Sequence, residues 1–133
     1  MVVYDTYAWI EYFRGSLKGR IVKKLLEENG YTPTIVLAEL SRKYFREGFT
    51  ADEVRKRLQF IQLKTIIVPI SIELSIKAAE VYSKLKAYAR ENKLRTPSLA
   101  DALIYSTALN QKDKLITGDK LFKNLDSIIY IGE

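Results

Sequence analysis

Short, largely apolar runs alternate along this chain with longer stretches in which apolar side chains recur at helical spacing, and that alternation limits the fold more than any other feature. Residues 2–4, 31–35, 65–70, 114–117 and 127–131 are of the first kind. Strands without a polar face belong to sheets covered on both sides, which are mostly parallel. Ala8, Trp9, Tyr12 and Phe13 then predict a helix that Gly15 stops, and residues 21–28 predict a second. Val36, Leu37, Leu40 and Tyr44 mark a third, ending at Gly48, and Val54, Leu58 and Ile61 a fourth over 51–63. Pro33 lies at or near the start of the 31–35 strand, and the β-branched run 65–70 reads as covered on both faces, with Ser71 capping the helix that follows. That helix, the longest, carries Leu74, Ala78, Val81, Tyr82, Leu85 and Ala89 on one side. Thr96, Pro97 and Ser98 restart the chain into a helix with Leu103, Ile104, Thr107 and Ala108 inward, and 120–124 predicts a last, short one.

This order predicts a single domain over residues 1–133: a three-layer α/β/α arrangement around a central, mostly parallel, twisted sheet of four to five short strands. Ligands of such sheets bind beyond the carboxyl ends of the strands.

The chain has no histidine and no cysteine, so its chemistry rests on carboxylates, hydroxyls, lysines, arginines or bound metal. Nothing in it signals an oxidising compartment, a membrane span of roughly 20 apolar residues or a secretory leader, and a cytoplasmic protein without membrane association is expected. Lys and Arg number 22 against 16 Asp and Glu, a net charge of +6. If four carboxylates are taken up by a metal, the rest of the surface carries 22 positive against 12 negative charges, which attracts an anionic polymer.

Asp5, Glu39, Asp101 and Asp119 each lie where a predicted strand meets a helix or in a helix's first turn. Each has a structural explanation. Asp5 and Asp119 suit helix caps, Ser98 with Asp101 fits a capping box, and Glu39 stands four residues before Lys43. Position argues for more. Glu39 and Asp101 sit at the margins of their apolar stripes, beside Leu40 and Ile104, and so point along the sheet edge toward the two acids at strand ends. Four gathered carboxylates repel one another until a hard divalent cation relieves them, and all-oxygen ligands suit Mg²⁺ or Mn²⁺. The hydroxyls of Thr6 and Thr117 are placed to orient a carboxylate or a metal-bound water, or else serve capping and β propensity alone. Trp9 reads as core.

Taken in order, Asp5-Thr6 after the first strand, Glu39 in VLAEL, Asp101 in SLADALIYSTA and Asp119 closing LITGD resemble the PIN-domain nucleases, most closely the VapC-type toxins of toxin–antitoxin pairs. The resemblance covers nearly the whole chain. It implies a ribonuclease whose Mg²⁺ or Mn²⁺ site is formed by Asp5, Glu39, Asp101 and Asp119, with Thr6 and Thr117 in supporting positions. It also implies a homodimer and a small antitoxin protein that wraps the toxin and blocks its cleft.

Without imidazole, the expected reaction is direct attack of a metal-activated water on the RNA phosphodiester, which leaves a 5′-phosphate. Lys43, Arg46, Arg90, Lys93 and Arg95 are candidates for holding the backbone, and some of the nine tyrosines could stack on bases, although those in apolar stripes suit the core. Two other folds place acids at strand ends. A receiver-like phosphoacceptor wants an acidic pair after its first strand, where this chain has Val3 and Tyr4 before Asp5. A haloacid-dehalogenase-type phosphatase wants a second aspartate two residues on, where Tyr7 stands. A non-catalytic module binding RNA or protein is the remaining alternative.

Overall fold

The N-terminal run becomes the middle of the sheet. The computed structural model describes residues 1–133, and its elements follow in the order β1 (Val2–Tyr4), α1 (Thr6–Arg14), α2 (Leu17–Leu25), β2 (Gly30–Pro33), α3 (Thr34–Arg46), α4 (Ala51–Lys64), β3 (Ile66–Val68), α5 (Ile72–Glu91), α6 (Leu99–Gln111), β4 (Lys114–Thr117) and β5 (Ile128–Tyr130). The five strands are all parallel and lie in the order β3-β2-β1-β4-β5, with helices on both faces. Val3 and Tyr4 on the central strand β1, and Leu115 and Ile116 on its neighbour β4, are fully buried, as a strand covered on both sides requires.

Local signals explain the element boundaries. Gly15 takes the left-handed conformation (φ 66°) that closes α1, a conformation costly for any residue with a Cβ. Ser16 then caps α2, accepting from the Gly19 N–H at 3.0 Å. At Gly19 the two helices cross so closely that a Cβ would lie 2.1 Å from the Glu11 carbonyl oxygen. Thr50 and Glu53 form a capping box at the start of α4, and Ser71 caps α5 as expected.

Four readings of the sequence are corrected. The second helix spans Leu17–Leu25 instead of 21–28, because the Ser16 cap starts it earlier. The second strand spans Gly30–Pro33 rather than 31–35, and Pro33 stands at its exit. Its fixed φ of −62° hands the chain into α3, so it ends pairing instead of opening it. The run 65–70 is not covered on both faces: β3 is an edge strand in which Ile66 is 57 % exposed, and Pro69, lacking an N–H, follows its last paired residue. β-Branched residues report a preference for extended backbone, which edge and central strands share. Residues 120–124 form no helix. Successive turns join Phe122 N–H to Asp119 O, Lys123 N–H to Lys120 O and Leu125 N–H to Phe122 O, burying Leu121 and Phe122, in a segment too short to repay helix nucleation.

Trp9 anchors the core beneath the sheet. It is fully buried against Tyr4, Tyr12, Phe13 and Phe60, and its Nε1–H donates to Thr32 Oγ1 at 3.1 Å. Thr32 in turn shares a 2.7 Å hydrogen bond with Thr65, whose hydroxyl donates to the Ile61 carbonyl at 3.0 Å when it is not turned toward Thr32. The indole N–H is thereby satisfied inside the protein, as a buried donor must be.

Candidate active site

The strand order reverses at the β1–β4 boundary: from β1 the chain adds β2 and β3 on one side, and from β4 it adds β5 on the other. A cleft forms at such a point, beyond the carboxyl ends of the strands. Asp5 follows β1 directly, and Asp119 follows β4 after Gly118. Glu39 projects from the second turn of α3 and Asp101 from the first turn of α6. All four line one cavity of about 660 Å³, together with Thr6, Tyr7, Lys93, Arg95 and Lys120. Thr117 is fully buried behind it.

The capping explanations and the cavity turn out to involve the same side chains. Asp5, only 5 % exposed, caps α1 by accepting from the Ala8 N–H at 2.8 Å. Burial pushes its pKa up to about 7; hydrogen bonds from Thr117 and the Ala8 N–H pull it down, and the nearby charges of Asp119 and Glu39 push it up further. Asp101 completes the capping box of α6: its own N–H donates to Ser98 Oγ at 3.1 Å, and its Oδ2 accepts the Ser98 N–H at 2.7 Å. Asp119 Oδ1 accepts the Leu121 N–H at 2.9 Å, and the Asp119 N–H donates to Thr117 Oγ1 at 3.0 Å, so Thr117 fixes the backbone of one acid and faces the carboxylate of another.

Glu39 does not pair with Lys43. Lys43 turns to Glu47 at 2.8 Å, while Glu39 Oε1 accepts the Thr6 hydroxyl at 2.6 Å and is held toward the cavity. Thr6 thus touches a different carboxylate from the Asp5 beside it in sequence.

No three carboxylates form a ready-made cluster for an ion. The Arg95 guanidinium instead lies across Asp101 and Asp119, and Asp5 and Glu39 have no ion pair. The hydrogen bonds that Arg95 donates to Asp101, then those to Asp119, hold its pKa above the usual value and keep the group charged. The donors fit a hard divalent cation: they are all oxygens, one is a buried carboxyl whose pKa is raised by burial and two like charges, and two others already bind a cation. Asp5, Glu39, Asp101 and Asp119 are the residues that would hold it.

Of the basic residues considered from the sequence, Lys93 and Arg95 line the cavity, Lys43 and Arg46 line a neighbouring groove, and Arg90 lies in a separate small groove beside Pro97. Arg42 and Lys120 escaped that reading. Arg42 had a signal, since it lies three residues after Glu39 and so shares its helix face. Lys120 had none beyond its place next to Asp119.

Comparison with known proteins identifies the family. The family model described as the PIN domain matches residues 2–128. No curated protein matches significantly. Among solved structures, a toxin–antitoxin complex from Klebsiella pneumoniae contains a chain 26% identical, with a TM-score of 0.62 over 97% of this chain and 96% of that one. VapBC-1 from nontypeable Haemophilus influenzae is 16% identical with a TM-score of 0.71, covering 99% of this chain and 98% of that one. VapBC2 from Rickettsia felis, bound to a DNA fragment from the promoter, is 20% identical with a TM-score of 0.67, covering 99% and 98%. A match to nearly the whole sequence, on a parallel sheet whose switch point gathers four acids, establishes that the chain belongs to the PIN-domain family, whose VapC-type members are nucleases.

Proposed function

We propose that this protein is a Mg²⁺- or Mn²⁺-dependent endoribonuclease, one PIN-like domain over residues 1–133, acting in the cytoplasm as the toxin of a type II toxin–antitoxin pair. The observation that carries the reading is the meeting of Asp5, Glu39, Asp101 and Asp119 in one cavity at the switch point of a PIN fold. Solved proteins of similar fold are toxin–antitoxin complexes, which supports a small antitoxin as the partner, and a homodimer is the assembly expected with it. No helix is long and apolar enough to cross a membrane.

RNA as substrate is supported by the groove next to the acid cavity. Thr6 and Glu39 line both, and the groove continues over Arg42, Lys43, Arg46 and Glu47 with no apolar residue in its wall. Glu39, Arg42, Lys43 and Arg46 recur at helical spacing on one face of α3. A polar wall that carries Arg42 and Arg46 unpaired, without an aromatic surface, suits a sugar–phosphate backbone, which it holds without reading bases.

When bound, the ion supplies charge stabilisation on the phosphate and acidifies the attacking water. Asp5, Glu39, Asp101 and Asp119 would hold that ion, and one of these carboxylates would accept the water's proton. Thr6 keeps Glu39 aimed into the cavity, and Thr117 fixes the turn that presents Asp119. Arg42 and Arg46 position the strand. Attack on the phosphorus by water instead of by the neighbouring ribose 2′-hydroxyl leaves products with 5′-phosphates.

The test is cleavage of a single-stranded RNA with Mn²⁺ or Mg²⁺, with end mapping, against Asp5→Asn and a chelator control. Asn at position 5 can still accept the Ala8 N–H, so the helix cap survives and lost turnover reports on the site. We expect 5′-phosphate ends and loss of cleavage in the variant. Predominant 2′,3′-cyclic phosphate ends, or undiminished cleavage by Asp5→Asn, would overturn the reading. A receiver-like domain finds no support, because two of the gathered acids come from α3 and α6 rather than from strand ends.

A further inference from the structure

The segment joining α5 to α6, residues 92–98, delivers a cation into the acid cavity. Arg95 Nη1 donates to Asp101 Oδ2 at 2.9 Å and Nη2 to Asp101 Oδ1 at 3.0 Å, a two-pronged grip on one carboxylate. Its Nε donates to Asp119 Oδ2 at 3.2 Å, and Nη2 reaches the same oxygen. The remaining oxygen of the pair, Asp119 Oδ1, accepts the Leu121 N–H. Every oxygen of Asp101 and Asp119 is therefore engaged. Asp5 and Glu39, on the other side of the cavity, have no cation of their own, so the protein neutralises half of the acid set itself.

We propose that Arg95 is an intramolecular competitor for the divalent ion: it holds Asp101 and Asp119 while the site is empty of metal and must leave them for the ion to bind. This rests on the metal-site reading above. A guanidinium and a divalent cation sharing the same carboxylates repel each other at short range in a partly desolvated cavity. Arg95 is the partner able to yield. Its side chain is 47 % exposed and stands on a segment without helix or strand, so it can swing out without breaking a backbone ladder. The arrangement keeps the metal-free protein from unfavourable repulsion among its acids, and it weakens metal binding by the free energy of the contacts that are given up.

The test is Mn²⁺ binding to the metal-free protein, followed by calorimetric titration and by thermal unfolding, with no substrate present. Arg95→Ala should bind Mn²⁺ about tenfold or more tightly than the parent, the factor expected from charge-assisted contacts that need not be broken. Its metal-free form should melt lower, and its rise in melting temperature on adding Mn²⁺ should be larger. Should Arg95→Ala fold poorly, Arg95→Lys keeps the charge without the fork and should fall between the two. Lys93→Ala, which removes a cation from the same cavity that grips no carboxylate, separates contact from general charge and should change affinity by less than Arg95→Ala does. Unchanged or weaker Mn²⁺ binding by Arg95→Ala, or equal tightening by Lys93→Ala, would overturn the proposal while leaving the metal site standing. Absence of Mn²⁺ binding in parent and variants alike would overturn the metal site itself.

Discussion

The Thr6 hydroxyl donates to Glu39 Oε1 at 2.6 Å, joining the first turn of α1 to the second turn of α3 across 33 residues of sequence. A half-exposed glutamate on a helix face has many rotamers, and this bond selects the one that faces the acid cavity. Replacing Thr6 by Val keeps the shape and removes the donor. We expect RNA cleavage to fall about 10- to 100-fold, the usual effect of losing a group that orients a metal ligand, with a stability loss of about 1 kcal/mol. Thr6→Ser should restore most of the activity, and single-turnover rates with urea unfolding would measure both.

Asp5 predicts an unusual stability profile. Its folded pKa, pushed up to about 7, lies above the ordinary value of 3.8, so the native state holds the proton more tightly than the unfolded chain does. Below pH 4 both states are protonated and the contribution is intact. Between about pH 4 and pH 7 the unfolded chain ionises first, and stability falls as pH rises, by about 4 kcal/mol at most at 1.36 kcal/mol per pH unit. The chain has no histidine to obscure this window. Urea unfolding in chelator should show the decline, and Asp5→Asn should flatten it.

Divalent metal should reverse that decline. An ion that binds only the folded protein stabilises it by mass action, about 2.7 kcal/mol at a hundred times its dissociation constant. Because the ion needs ionised carboxylates, the rise in melting temperature with Mn²⁺ should be larger at pH 8 than at pH 5. An equal rise at both pH values would place the ion away from Asp5.

The groove along α3 predicts a salt dependence. With Asp5→Asn protein as the binding-only form, the slope of log affinity against log salt on single-stranded RNA should lose about 0.7 for each phosphate contact removed by Arg42→Ala or Arg46→Ala. Lys43 is already paired with Glu47, and its removal should matter less. Equal slopes in all variants would move the strand elsewhere.

Trp9 carries the packing beneath the site. Trp9→Ala should cost about 3–5 kcal/mol, as for other buried aromatics. Trp9→Phe should cost about 1–3 kcal/mol, because Thr32 loses a donor but keeps Thr65. Chemical unfolding checks both.

Much of this protein is legible one segment at a time. The α/β alternation, the stop at Gly15, the caps at Ser71 and Ser98 and the burial of Trp9 all follow from forces that act within a few residues, namely dihedral preference, capping and apolar periodicity. The candidate acids are legible for a related reason: Asp5, Asp101 and Asp119 stand at junctions between elements, where the parallel topology exposes strand ends. Glu39 lies at the margin of the apolar stripe of α3, in its second turn and not its first. Two of the boundaries were misread because a local signal serves two contexts. Pro33 suits the start or the end of a strand, and the β-branched run before Pro69 suits an edge as well as a centre.

Sequence alone determined the class of fold and which side chains stood available for chemistry, because those depend on near neighbours. Tertiary structure decided how the charges were shared out: Glu39 turned from Lys43 to Thr6, Asp5 was buried until its pKa rose to about 7, and Arg95 was laid across Asp101 and Asp119. Coulomb and desolvation energies depend on distance in space and on access of water, and both are set only when the strands have taken their order in the sheet.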